Sequence, residues 1–561
     1  MLSTLPDCAR ATRTTVFPDA GTPAGTVALR SAELRVQGPG TVSAVGAAPL
    51  AGEMAVFCRP VLTAPAVIRR DGTVLADAWL PDQVRLGDLE AHLGDGVIEA
   101  IADAELAGRR LKPRQRRRLM SYPLVIRLMI AMTLMPDACY GEAMSRLAGL
   151  LADIPFALEW HVPTGKVVTE WRLLIPAQVM EEIFWHAAGP LTADDDPSAV
   201  MLAGLPVDAA DGMLVNLADT PANRAFFGTT GTADGSSPFP QLRVVALTAR
   251  AGHAVLGAVL GQAGTGEQTL LKRLVKRRPE LFAGRVTCFD RNFPGHELVT
   301  AILGAGGQVV ARASATLSLP MAEDGGWLGD GSRLSWLNAP SGKKEDRIPV
   351  RVTEHNALFP AAGGQEQVSE TCTVITTLLD HRAAPAQAVR DAYLTRWSAS
   401  ETTFGENKAT IAGAGNRTSG PVLRSGCPRL VIQEAWAWLT ATQLTRAAEA
   451  AALRGEAAAA RALRRKDAAP VAPDEESFTA ARHHMIRSMT TSQVTSSSSL
   501  DAIAAAADSA ARAILRTLNV PGRERHSERA QKARPKFPHT AATKQTVTGK
   551  PQVTVFAPGF S

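Results

Sequence analysis

The chain has 561 residues, long enough at roughly 150 residues per unit for several structural units, and its 45% hydrophobic content can fill their cores. The net charge is only +6, from 60 basic and 54 acidic residues, so where the charge sits matters more than its total. Six cysteines, Cys8, Cys58, Cys139, Cys288, Cys372 and Cys427, are scattered without a C-x-x-C pair, which argues against a zinc site or a disulfide scaffold and fits a reducing compartment.

Residues 1–80 are rich in Gly, Ala, Pro and Thr with weak periodicity and read as a poorly ordered extension without a basic-then-apolar leader. Residues 81–195 turn helical, with VRLGDLEAHL, GVIEAIADAEL, YGEAMSRLAGLL and PAQVMEEIFWHAAG. The most apolar run, LMSYPLVIRLMIAMTLM, is interrupted by Pro123 and Arg127 and reads as a buried helix, not a membrane span. The same region carries the cluster RRLKPRQRRR from Arg109 to Arg118, a block suited to a polyanion such as nucleic acid.

From 196 to 312 the texture changes to short apolar strands. VMLAGLPV approaches DAADG; LRVVALTA and HAVLGAVLG are spaced for a hairpin; the helix GEQTLLKRLVK leads to RVTCFD; a second helix, HELVTAILGAG, leads to QVVARAS. Residues 313–382 hold Gly-rich turns and β-type runs and read as an inserted β region. Helical character returns over 383–448 and continues, with Ala- and Ser-rich linkers, through 449–520. The tail, 521–561, is basic: between Pro521 and Lys550, eight Lys or Arg face two Glu, a surplus of six that equals the charge of the whole chain.

The carboxylates carry the chemistry. Asp211, after the first strand, and Asp290, at the end of the fourth, lie on strands that can run side by side. Two carboxylates that close repel unless a cation joins them, and a hard divalent ion such as Mg²⁺ prefers oxygen donors. Asp208 lies three residues before Asp211, and composition does not choose between them; Asp followed by Gly is also a common turn signal. A third acid from a helix packed on the sheet would complete a two-metal clamp for in-line phosphoryl chemistry. The stretch YLTRWSASETTFGENK, Tyr393 to Lys408, offers Glu401, with Phe404 and Lys408 on the same helical face. Ser398 and Glu401 also fit a capping box, in which Glu401 would only satisfy a backbone donor.

Several stretches together resemble the insertion-sequence-four family of DDE transposases. LPDQVRLGDLEAHLG, LKPRQRRRL and LMIAMTLMPDACYGEAMSRL look like its helical N-terminal domain; DGMLVNLADTPANRAFFG looks like its first-aspartate segment, which selects Asp211 over Asp208; CFDRNFPGHEL looks like its second. YLTRWSASETTFGENK looks like the signature Y-x2-R-x3-E-x6-K, followed by VLRS and QEAWAWL. One residue more than usual separates Arg396 from Glu401. Either Tyr393 and Arg396 are rotated by about 100° relative to Glu401, or the extra residue precedes a helix capped by Ser398. Glu406 is the fallback acid, but it breaks the interval to Lys408.

The resemblance implies an α/β chain: an RNase H-like catalytic core with a β-rich insertion, preceded by a helical N-terminal DNA-binding domain and followed by a helical C-terminal region with the basic tail. It implies a cut-and-paste transposase, cytoplasmic, without membrane partners. Such an enzyme binds the inverted-repeat ends of its own element, cleaves them through hairpin ends and joins them to target DNA, as a homodimer when two ends are brought together. Asp211, Asp290 and Glu401 would hold two Mg²⁺ ions, with Mn²⁺ as a substitute. Tyr393, Arg396 and Lys408 would grip phosphates; Arg291 and Arg114, Arg116, Arg117 and Arg118 are further candidate DNA contacts. The rival readings are a catalytically silent DNA-binding protein derived from a transposase and an RNase H-like nuclease. Trp327 and Trp336 in the insertion either pack it or stack on an extruded base. His483 and His484 read as structural.

Overall fold

The structure is a computed structural model. It describes residues 84–106, 120–148, 163–189, 201–249, 253–396, 422–455, 478–491 and 508–518, with short breaks within them, and the strand residues of 34–44, 67–75 and 552–555. Arg114, Arg116, Arg117, Arg118, Glu401 and Lys408 lie outside the described residues.

Within the first 80 residues, read from sequence as a poorly ordered extension, the described strands β1 (Leu34–Val36), β2 (Thr41–Ala44), β3 (Val67–Ile68) and β4 (Val74–Leu75) pair in one antiparallel sheet. The helical region follows: α1 (Asp88–Ala91), α2 (Val97–Leu106), α3 (Tyr122–Leu134), α4 (Tyr140–Ala148), α5 (Gly165–Arg172) and α6 (Ala177–Ala188). The apolar run is α3, capped by Ser121, whose Oγ accepts from Leu124 N at 3.2 Å, with Pro123 in the first turn where its missing N–H costs nothing. Arg127, inside it, is fully buried. Its Nε meets both carboxylate oxygens of Glu90 at 3.0 Å and its Nη2 meets Glu99 at 2.7 Å, while Glu90 also accepts from Leu86 N. No described helix is long and apolar enough to cross a membrane.

The next elements are β5 (Met201–Leu202), β6 (Leu205–Leu217), α7 (Pro221–Phe227), β7 (Gly231–Thr232), β8 (Gly235–Ser236), β9 (Gln241–Ala249), β10 (Val255–Gln262), α8 (Glu267–Arg277), β11 (Val286–Phe289), α9 (His296–Gly304) and β12 (Gln308–Arg312). VMLAGLPV, expected as one strand, is a hairpin: Ala203 and Gly204 both adopt positive φ, and β5 folds back on the start of β6. β6 therefore starts later than the sequence suggests and runs straight through the Asp-Gly pair. β6, β9 and β10 form an antiparallel meander, and β6, β11 and β12 run parallel, joined by α8 and α9. The spatial order is β10-β9-β6-β11-β12.

The inserted β region does not form a sheet of its own. Strands β13 (Arg333–Leu337), β14 (Ile348–Pro360) and β15 (Gln367–Thr376) continue the same sheet, because β15 pairs antiparallel with β12. Here α10 (Ala386–Arg396), β16 (Val422–Leu423), α11 (Pro428–Arg454) and α12 (Phe478–Thr491) follow, and β17 (Gln552–Val555), from the tail, pairs with β14. Trp336 is partly covered, with the Arg347 guanidinium 4.9 Å from its ring centre, whereas Trp327 is 43% exposed. His484 pairs with Asp88 at 2.9 Å, tying α12 to α1, in keeping with a structural role.

Strand side chains alternate between faces. On β6, Val207 belongs to a core with β11, β12 and α10, whereas Met213, Val215 and Leu217 belong to a second core shared with the N-terminal helices, α11 and α12. Ala210, on the opposite face, packs with Leu270, Leu271, Leu298 and Val299 of α8 and α9. The N-terminal helices are thus packed into the body of the protein. The stretches VLRS and QEAWAWL make that junction. Gln433 donates to the carbonyls of Arg172 (2.8 Å) and Ile175 (2.6 Å), and Glu434 accepts from the N–H groups of Arg424 (3.0 Å) and Ser425 (2.9 Å). Trp436 packs on Phe184, ring centres 5.1 Å apart. Asn223, in α7, donates to the Ser425 carbonyl at 2.9 Å.

Arg127→Ala strands Glu90 in the core and is expected to lower stability by about 3–5 kcal/mol in chemical denaturation. His355, buried in β14 against Thr353, has its pKa lowered from 6.5 to about 4, by burial first and by Arg390 second, with Asp391 opposing. Between those values the unfolded chain holds a proton that the folded chain refuses, so stability falls as pH drops from 6.5 towards 4, by at most about 1.4 kcal/mol per pH unit. A pH series of denaturation midpoints should show this slope flattened in His355→Gln.

Candidate active site

The parallel pairing of β6 and β11 puts the two central aspartates together. Phe289 is the register partner of Ala210, so the next positions, Asp290 and Asp211, stand side by side. Asp211 lies in the interior of β6, and Asp290 directly follows β11. Asp208 is different: it is 2% exposed and held by Arg285, at 2.5 and 2.9 Å through both carboxylate oxygens. Asp208 is thus committed to a buried ion pair, whereas Asp211 is partly exposed.

Both aspartates are partly exposed and locally fixed. Asp211 Oδ1 accepts from Gly212 N at 2.8 Å, and its Oδ2 from Arg396 Nη1 at 3.2 Å. Asp290 Oδ1 accepts from Asn292 N at 2.7 Å, an Asx turn that carries the chain off the strand. Phe293 anchors the turn, buried against Phe289 with ring centres 5.7 Å apart.

Helix α10 covers one side. Tyr393 and Arg396 are three residues apart on it, and the guanidinium carbon lies 5.7 Å from the Tyr393 ring centre. Arg396 is 4% exposed. Its charge faces Asp211, so in this state the side chain neutralises a carboxylate. Burial pushes the Tyr393 hydroxyl above its usual pKa, with Arg396 opposing and Asp290 adding a smaller push in the same direction. Arg291, next to Asp290 in the chain, is exposed.

Helix α8 covers the other side, and it contributes a residue that the sequence reading missed. Glu267, in the first turn, lies against Gly212: a Cβ on that glycine would meet the Glu267 carboxylate at 2.5–2.7 Å. This is why glycine follows Asp211 in mid-strand, where no turn requires it. Arg243 of β9 holds Glu267 at 2.6 Å and also donates to the Ala263 carbonyl at 3.1 Å. Burial raises the Glu267 pKa above the usual carboxylate range, Arg243 opposes, and Asp211 and Asp290 both raise it further. The only sequence signal was the Gly in Asp-Gly, which also marks turns.

Two adjacent carboxylates are hard oxygen donors of the kind Mg²⁺ or Mn²⁺ takes. Among the described residues, no group of three His, Cys, Asp or Glu is arranged to hold a metal ion. Glu401, the third acid expected from the sequence, lies outside the described residues.

No family model matches the chain. It is similar to the transposase InsG of insertion sequence element IS4 from Escherichia coli (strain K12), 27% identical over 248 residues, which is 43% of this chain and 52% of that protein. The chain thus spans about half the length of this curated relative. Among solved structures it aligns with the piggyBac transposase in a synaptic complex with hairpin DNA, over 78% of this chain and 86% of that one, at 9% identity and a TM-score of 0.38, too low to bear on the fold.

Gly212→Ala forces the Glu267 carboxylate off the strand. It is expected to cost about 1–3 kcal/mol, and Glu267→Ala in the same chain should recover most of that loss, a coupling a double-mutant cycle of denaturation free energies would measure.

Proposed function

We propose that the protein is a DNA transposase that cuts the inverted-repeat ends of its own element and joins them to target DNA. The observation that carries this reading is the register of β6 with β11, which ends at Ala210 and Phe289 and so brings the next residues, Asp211 and Asp290, both partly exposed, to the same level of neighbouring parallel strands. The strand order β10-β9-β6-β11-β12, with three antiparallel strands followed by two parallel ones, supports an RNase H-like core.

In this reading Asp211, Asp290 and Glu401 hold two divalent cations, which when bound activate the attacking hydroxyl and steady the leaving oxygen. The protein's own part is placement. β6 and β11 fix two carboxylates at one level, the Asn292 turn fixes the rotamer of Asp290, and α10 brings Arg396 and Tyr393 against them. Arg396 pairs with Asp211 and offsets its charge; its fork of N–H donors also suits a DNA phosphate. Lys408, Arg291 and the Arg114, Arg116, Arg117 and Arg118 cluster supply further positive charge for the DNA backbone, and the basic tail adds to it. Cleavage passes through hairpin ends, and a homodimer brings two ends together.

Purified protein is mixed with DNA carrying the inverted repeats that flank its gene, with Mg²⁺. Hairpinned and joined ends are expected. Simple nicking would instead mark a nuclease, and a band shift without cutting a silent DNA-binding protein. Asp211→Ala and Asp290→Ala should each reduce cleavage to background while end binding stays close to wild type. Loss of binding along with cleavage would make these aspartates structural and end the reading.

A further inference from the structure

The first turn of α8 touches the strands of both aspartates. Glu267 lies on Gly212, next to Asp211, and is fixed there by Arg243. The next residue, Gln268, donates to the Asn292 carbonyl at 2.8 Å, in the turn that holds Asp290. Its amide also closes on Gly295, where a Cβ would meet the Gln268 oxygen at 3.0 Å. One turn further on, Lys272 pairs with Glu297 of α9. A single helical turn is thus bolted to the segment after each carboxylate. Neither strand needs this for pairing, since their ladder hydrogen bonds are already made.

We infer that Glu267 and Gln268 form a brace that sets the spacing of Asp211 and Asp290, with Glu267 as a positioning residue for the acidic pair. This rests on the proposed function, in which the pair receives a divalent cation. The geometry gives each part a task. Arg243 pairs with Glu267 and offsets the negative charge that it brings to the neighbourhood of the two aspartates. Gly212 removes the Cβ that would hold the brace away. A ligand set loosened by loss of an outer contact typically binds its metal about 10–100-fold more weakly.

Mn²⁺ binding to the full-length protein without DNA, followed by the electron-spin signal of free Mn²⁺, tests the brace. Thermal unfolding is recorded for every variant. Glu267→Ala is expected to weaken Mn²⁺ binding at least about tenfold. Glu267→Gln, which keeps the shape and still accepts from Arg243, should restore it to within a few-fold. Gln268→Ala should weaken it independently through the Asn292 side, and serves as the test if Glu267→Ala does not fold. Wild-type affinity in a folded Glu267→Ala or in Gln268→Ala overturns the brace. Equal loss in the Gln and Ala variants at 267 also overturns it, since the residue would then act through its charge. Asp211→Asn and Asp290→Asn separate the two levels: if they bind Mn²⁺ like wild type, the metal reading itself fails, whatever position 267 does.

Discussion

The parallel ladder between β6 and β11 is the contact on which the candidate site depends. Asp211 and Asp290 are far apart in the chain, and only this register makes them neighbours. A slip of one residue would turn every side chain of β11 to the other face and send Asp290 away from Asp211. The ladder is guarded against such a slip. Val207, Val286 and Cys288 fill the core under α10, and Ala210 and Phe289 fill the core under α8 and α9. Asp208, paired with Arg285 from the segment leading into β11, adds a charged lock near the start of the ladder.

A second constraint is the long helix α11. It runs beneath the N-terminal helices and against the far part of β6 and β10, so one core serves segments widely separated in sequence. Its polar side chains are not misplaced. Gln433 takes up carbonyls at the end of α5, Glu434 ties down the loop after β16, and Arg446 pairs with Glu449 inside the packing. Buried polar groups of this kind cost little when satisfied and a great deal when not, so they discriminate between correct and incorrect docking of the helical region.

Much of this was legible from pattern. The helices α8 and α9 follow from periodicity, because each buries one face, and the β9–β10 hairpin and the helix around Arg127 follow from apolar runs, the helix being covered on nearly every side. Three features were not. The Ala203-Gly204 hairpin was invisible because Ala is not a turn residue; its positive φ is imposed by pairing of β5 with β6. Asp211-Gly212 looked like a turn because local chemistry cannot show that a side chain from α8 occupies the missing Cβ. The β insertion looked separate because nothing in an isolated strand says which neighbour it will pair with; β15 chooses β12. Asp290 was legible as a strand end, whereas the closeness of Arg396 to Asp211 needs the docking of α10 and is written in no local motif.

The outer edge of β10 carries its own lesson. Val255 N, which would otherwise face outward for a new partner strand, donates to Gln443 of α11 at 2.8 Å. The strand bulges between Val255 and Gly257, and Trp185 and Leu281 crowd the glycine. An edge stoppered at its first residue and bent by a bulge is a poor template for a strand of another chain at that end.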